Sequence, residues 1–240
     1  MNFRIEWHDR LGSTNSTLRN RFYNQHIKDA LLIAAREQTD GRGRQQRTWI
    51  SPPNGGLYAS FFLETHAPLI QIPSLTMALA LAVSDYLNSQ GIRAAPKWPN
   101  DVLVGEKKIC GILSERVEQE LRQGIIVGIG LNINMTQAEA NEIDRPATSI
   151  LVESNQARSP DEVLKELLPQ INFWIDRWKN GGFEAIREIW TEKAGPIGKP
   201  ISVRDGDLRQ TGTLAGFGTH GELLFQTASG VETIWSGDIE

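Results

Sequence analysis

Residues 124–134, GIIVGIGLNIN, pass through eleven positions without a charged side chain. A strand with one wet face alternates apolar and polar residues, whereas a run that is apolar on both sides sits at the centre of a sheet covered on both faces. That one run demands helices on either side of the sheet it joins. The segments LLIAA (31–35), LYASFFL (57–63) and ICGILSE (109–115) read the same way, and FRIEW (3–7) reads as a further strand.

Two helices supply the cover. In PSLTMALALAVSDYLNSQG (73–91), Leu75, Ala78, Leu79, Ala82, Val83, Tyr86 and Leu87 form one apolar stripe, and Gly91 is the stop. SPDEVLKELLPQINFWIDRWKNGG (159–182) opens with Ser159 as N-cap, Pro160 at the first helical position and Glu162 completing a capping box. Pro169 is expected to kink or divide it. A shorter helix is expected through Phe183, Ile186, Ile189 and Trp190. Beyond Gly195 the texture changes to short strands, ISVRD, LRQTGTLAGF, ELLFQT and VETIW, which suggests a small β-barrel. The fold class is therefore α+β, with a main domain over 1–194 and a small barrel over 195–240.

Composition removes several classes of function. A net charge of −4 and a pI near 5.7 argue against sequence-independent nucleic-acid binding, which needs a dense basic face. No apolar run of about 18 residues is read as a membrane span, and MNFRIEWHDR lacks the apolar stretch of a signal peptide. The single cysteine, Cys110, excludes an internal disulfide and fits a reducing, cytoplasmic setting. It falls in an interior strand and reads as core rather than nucleophile. No G-x-S-x-G elbow is present, and His8, His26, His66 and His220 form no metal-ligand pattern with it.

Against this acidic background, TDGRGRQQRTW (39–49) is unusual. Four arginines (36, 42, 44 and 47) against Glu37 and Asp40 give residues 36–47 a charge of +2. Gly41 and Gly43 let the backbone turn, and guanidinium groups suit carboxylates and phosphates. Alone, such a loop could equally be mobile and solvated. In APKWPNDVLVGEKKICGILSE (95–115), prolines bracket Lys97 and Trp98, Asn100 and Asp101 follow, and a hairpin turns at Gly105-Glu106. Alternation sends Lys107 and Lys108 to opposite faces. In GSTNSTLRN (12–20), Ser13, Thr14 or Asn15 is an N-cap that leaves its neighbours facing a cleft. Asn132 is a lone amide in an apolar strand and needs partners, structural or ligand.

Taken in this order, STN (13–15), GRGRQQRTW (41–49), GGLYAS (55–60), KWPNDVLV (97–104), KKICGIL (107–113) and GIGLNIN (128–134) resemble the biotin protein ligase family. The resemblance extends over nearly the whole chain. It implies a fold like that of class II aminoacyl-tRNA synthetases with a Src-homology-3-like barrel. It also implies a two-step reaction: biotin and Mg2+-ATP give biotinyl-5′-adenylate, and the biotinyl group passes to a lysine of a biotin carboxyl carrier protein, an acetyl-CoA carboxylase subunit. Only twelve residues precede Ser13, so the resemblance points to a form without the helix-turn-helix repressor domain of larger members, and with no nucleic-acid or membrane partner. Monomer and homodimer both stay open.

Matched position by position, the resemblance assigns Ser13, Thr14, Asn15, Gln38, Arg42, Gly43, Arg44 and Lys108 to biotin. It assigns Arg42, Arg47, Trp49, Lys97, Asn100 and Asn132 to ATP or adenylate. Lys108 is the expected electrostatic catalyst, Lys97 a phosphate ligand or assistant in the second step, and Arg44 and Asp101 complete the catalytic set. The family places glycine where this chain has Gln46, which would be strained if that position takes positive φ. DRPATSI (144–150) falls on the adenine side and offers no stacking aromatic. The loop, if its like charges gain nothing from order, should be mobile without ligand. Two other readings remain: a lipoate or octanoate ligase of the same fold, and a non-catalytic biotin or adenylate sensor.

Overall fold

The computed structural model describes residues 1–25, 27, 30–195, 197–205 and 208–239. In chain order the elements are β1 (Arg4–Leu11), α1 (Thr14–Asn24), β2 (Leu31–Gln38), β3 (Gly56–Glu64), α2 (Ile72–Ser89), β4 (Ala94–Lys97), β5 (Asp101–Val104), β6 (Lys107–Gln119) and β7 (Arg122–Asn132). There follow α3 (Gln137–Asn141), α4 (Ile150–Ser154), α5 (Pro160–Gly181), α6 (Arg187–Lys193), β8 (Pro200–Asp205), β9 (Leu208–Phe217), β10 (Leu223–Thr227), β11 (Gly230–Ile234) and β12 (Asp238–Ile239).

The first seven strands form one mixed sheet in the order β1-β2-β3-β7-β6-β5-β4, with only the β1–β2 pair parallel. Its central strands are apolar on both faces because both are covered. Ile33, Phe62 and Ile126 pack on Leu18 and Phe22 of α1. Their neighbours Leu32, Phe61, Leu63, Ile125 and Val127 join a larger core with α2 and α5. The remaining five strands form an antiparallel sheet, β11-β10-β9-β8-β12, as the turn-rich C-terminal texture suggests. Its Leu214, Phe217, Leu223 and Phe225 belong to that same larger core, beside Phe183 and Trp190. The indole of Trp98, in KWPND, donates to Gly221 O at 3.0 Å and ties the two sheets together.

Four expectations about the helices need revision. α2 is buried around its circumference rather than along one stripe: Ser74 and Ser84 are as inaccessible as Leu75 and Leu79. It lies between the sheet and α5, and its hydroxyls find partners, Ser74 Oγ accepting from Trp178 Nε1 at 2.9 Å. For the same reason the span Leu69–Ser89 is long and apolar enough to cross a membrane, where no such run was expected, yet most of it is buried in the protein. Ser159 is the N-cap of α5, but its side chain makes no cap bond and instead meets Asp161, so there is no capping box. Pro169 does not divide α5, which continues for 22 residues. Pro169 and Lys165 are both exposed, so the carbonyl that loses its helical donor faces water.

Candidate active site

Along β7, the positions facing α1 run Ile126, Gly128, Gly130, Asn132. Where α1 ends its cover the large side chains stop, and the glycines leave a floor. A Cβ on Gly130 would stand 2.5 Å from Trp49 Cε2, and one on Gly128 would collide with the Asn15 amide. Above this floor opens a cavity of about 540 Å³, a volume suited to a ligand of drug or cofactor size.

One end is polar and lined by the uncharged side chains of Ser13, Thr14, Asn15 and Gln38, with the Glu115 carboxylate, paired with Arg19, behind Asn15. Ser13 caps α1, its Oγ accepting from Ser16 N. Thr14 N and Oγ1 donate to Gln38 Oε1 at 2.9 and 3.1 Å, and Gln38 Nε2 donates to Ser51 Oγ at 3.0 Å. Thr14 Oγ1 and Ser60 Oγ stand 2.6 Å apart, and Ser60 donates to Asn15 Oδ1 at 2.5 Å. Asn15 Nδ2 donates to Glu115 Oε2 at 2.9 Å. Thus Ser13, Thr14, Asn15 and Gln38 come together as the sequence suggested.

The other end is cationic. Residues 41–49 fold back on themselves: Gly43 N donates to Arg47 O at 2.8 Å and Trp49 N to Gly41 O at 2.9 Å. The turn passes through Gln45 (φ 52) and Gln46 (φ 60), so the position where the family has glycine does take left-handed backbone. Arg42 lies 3.6 Å from Glu115. Arg44 donates to Asn100 Oδ1 at 3.1 Å, and Arg47 pairs with Asp238 at 2.6 Å. The picture of like charges with nothing to gain from order is therefore corrected: the arginines have acidic or amide partners. Arg36 does not join them; it pairs with Asp161 at 2.5 Å and stacks over Trp7.

Between the two ends stands Lys108. Strict alternation back from Gly111 would aim Lys107 at the cavity, but β6 bulges opposite Val102/Leu103, so Cys110 pairs with Val102 and Lys108 with Leu103. The extra residue turns Lys108 to the Gly111 side and leaves Lys107 exposed. Lys108 Nζ is 2.6 Å from Asp101 Oδ1 and 5.4 Å from the centre of the Trp49 ring. Its backbone is clamped by the 146–148 segment, donating to Pro146 O at 2.9 Å and accepting from Thr148 N at 3.0 Å.

Asn100 is buried, with Nδ2 donating to Ile112 O at 2.7 Å, and Asn132 Nδ2 donates to Thr148 O at 2.9 Å. Both line the cavity, as do Gly43 and Trp49, whose buried Nε1 has no hydrogen-bond partner among the described residues. Lys97 is not among the lining residues; it sits on β4 directly across from Asp101. Burial alone would raise the Asp238 carboxyl, but Arg47, with Arg44 and Arg145 beyond it, outweighs burial and holds it below the ordinary carboxylate value. Burial pushes the Cys110 thiol up, which makes it a poor nucleophile. No group of three His, Cys, Asp or Glu side chains suited to a metal occurs among the described residues, and His26 lies outside them.

The sequence pattern of the biotin/lipoate A/B protein ligase family matches residues 7–132, more than half of the chain, and includes most of the residues that line this cavity, though not the 143–147 segment or Asp238. The chain belongs to that family. Among its relatives, the bifunctional ligase/repressor BirA of Bacillus subtilis is 32% identical over 98% of this chain and 73% of its own length. The biotin–[acetyl-CoA-carboxylase] ligase of Paracoccus denitrificans is 32% identical over 89% of this chain and 91% of its own. Among solved structures, the biotin protein ligase of Aquifex aeolicus in complex with biotin and ATP superposes with a TM-score of 0.81 at 30% identity, covering 98% and 97% of the two chains.

Within this ligase-family site, four side chains were not anticipated: Ser60, Glu115, Arg145 and Asp238. Ser60 had a signal, being the lone serine in the otherwise aliphatic and aromatic run LYASFFL. Asp238 had none, since only the packing of the second sheet brings residue 238 to the cavity.

Proposed function

We propose that this chain is a biotin protein ligase that makes biotinyl-5′-adenylate from biotin and Mg2+-ATP and transfers the biotinyl group to one lysine of a biotin carboxyl carrier domain. One observation supports this above others. A single cavity joins an uncharged, buried pocket of donors and acceptors to a cluster of arginines and Lys108 across a glycine floor. Biotin has that division: a neutral ureido ring at one end and a carboxylate at the other. A lipoyl head would bring an apolar dithiolane to the Thr14–Gln38–Ser60–Asn15 network, where it would leave polar groups without partners.

In the first step the carboxylate oxygen bonds to the α-phosphorus while the bond to pyrophosphate breaks. Two anions must meet, and at 4 Å they repel by about 4 kcal/mol at an effective dielectric near 20. Lys108, Arg42 and Arg44 offset this, and they withdraw the product anhydride from water. In the second step the carrier amine attacks the acyl carbon, loses a proton and releases AMP. Magnesium would enter with the ATP phosphates, and the carboxylates lining the cavity are Asp101, Asp144 and Asp238. Lys97, opposite Asp101, is assigned to the second step, and Trp49 to the nucleotide. Mixing the chain with biotin, ATP, magnesium and a carrier domain should add one biotin-sized mass to one lysine; an unmodified carrier with a lipoylated product in the parallel lipoate reaction would favour the other branch of the family.

A further inference from the structure

An anion site that already holds an anion needs a reason. Asp238, in the last strand of the second sheet, lines the cavity and faces three guanidinium groups: Arg47 at 2.6 Å, Arg145 at 3.6 Å and Arg44 at 3.9 Å. These come from two distant segments. Arg145 sits beside the residues that clamp the Lys108 backbone, so its position is fixed relative to the reacting end of the cavity. Three guanidinium groups around one point repel unless an anion lies between them, and the same planar donors fit carboxylate and phosphate alike.

We propose that Arg145 is a third phosphate ligand beside Arg44 and Arg47, and that Asp238 is the anion that phosphate replaces. Asp238 gathers the three cations while the site is empty and yields them when nucleotide enters. This rests on the ATP reading given above. Nucleotide binding is then an exchange of one anion for another. Asp238 weakens phosphate binding, because its own pairs must break, and it keeps the loop assembled beforehand. A residue that merely held the fold together would lose order and affinity in the same direction; here the two move oppositely.

The test titrates the full chain with inorganic pyrophosphate by calorimetry, with and without magnesium, and follows tryptic cleavage after Arg44 and Arg47 in the absence of ligand. Asp238→Asn should bind pyrophosphate about tenfold more tightly without magnesium, while its loop is cut faster than in the wild type. Asp238→Glu should restore both readings toward wild type, and Arg145→Gln should bind about tenfold more weakly. Equal or weaker binding by Asp238→Asn overturns the exchange, as does a loss seen only when magnesium is present, which would make Asp238 a metal ligand. Unchanged binding by Arg145→Gln removes that residue from the phosphate site. A wild type that binds biotin but no pyrophosphate would instead bring down the ATP reading, and this inference with it.

Discussion

Lys108 Nζ stands 2.6 Å from Asp101 Oδ1, on neighbouring strands, and a bulge in β6 is what turns it there. The pair fixes the ammonium in the cavity before any ligand arrives, so little reorganisation is needed when charge develops on the α-phosphate.

Lys108→Ala should therefore lower adenylate formation by about 10²–10³-fold. The fold should survive, since the side chain is one-third exposed and the carboxylate it leaves, Asp101, also reaches solvent. Biotin-dependent pyrophosphate release is the measurement, with circular dichroism as the control. Near wild-type release would remove Lys108 from the chemistry.

Gly130→Ala tests the floor. A methyl group there would meet Trp49 Cε2 at 2.5 Å, against the rigid edge of an indole rather than the end of a flexible chain. The ring must shift, and with it part of the cavity lining. Biotin and ATP binding should both weaken by at least about tenfold while melting changes little, because neither residue lies in the main core. Retained affinity for both ligands would show that Trp49 has room to move.

Gln46→Gly concerns the loop backbone. With φ at 60 and an exposed side chain, Gln46 holds a conformation that costs an L-residue roughly 1 kcal/mol and glycine almost nothing. Part of that gain is offset by the extra freedom of glycine in the unfolded chain. Thermal unfolding should show no loss and a rise of up to about 1 kcal/mol in stability; a clear drop would mean that the Gln46 side chain makes a contact that matters.

These residues also show where reading the chain succeeds. The central strands of the first sheet follow from runs that are apolar on both faces, whereas the short edge strand β4 (Ala94–Lys97) left no such run, and the head pocket follows from Ser13, Thr14 and Asn15 at a helix start. Alternation alone would have aimed Lys107 inward, because a bulge leaves no mark in a hydrophobic pattern; motif matching selected Lys108 instead. The corrected capping box at Ser159 fails for a related reason, since Asp161 offers its hydroxyl a competing partner. The counter-charges on the loop, Glu115 and Asp238, lie 73 and 196 positions after Arg42, and no local rule couples such residues.

The last prediction concerns acid. Asp238 has a folded pKa below its ordinary 3.8, because Arg47, Arg44 and Arg145 together overcome the effect of burial. A carboxyl lowered on folding contributes stability that is fully present above its unfolded value and is lost as pH falls through the lower, folded one. Glu6 beside Arg21 and Asp161 beside Arg36 are lowered too, so the wild type as a whole should lose stability below about pH 4. The share due to Asp238 is isolated by comparison with Asp238→Asn, which cannot titrate there. At neutral pH the variant should unfold at lower denaturant than the wild type; below pH 3.8 the two curves should converge as the wild-type carboxyl gains its proton and releases the arginines. High salt should shrink the gap at neutral pH only in part, because the carboxylate is half-buried and screened less than a surface pair. A gap of constant size from neutral to acid would mean that Asp238 holds its neighbours by shape or by hydrogen bonds that the amide keeps, and not by charge.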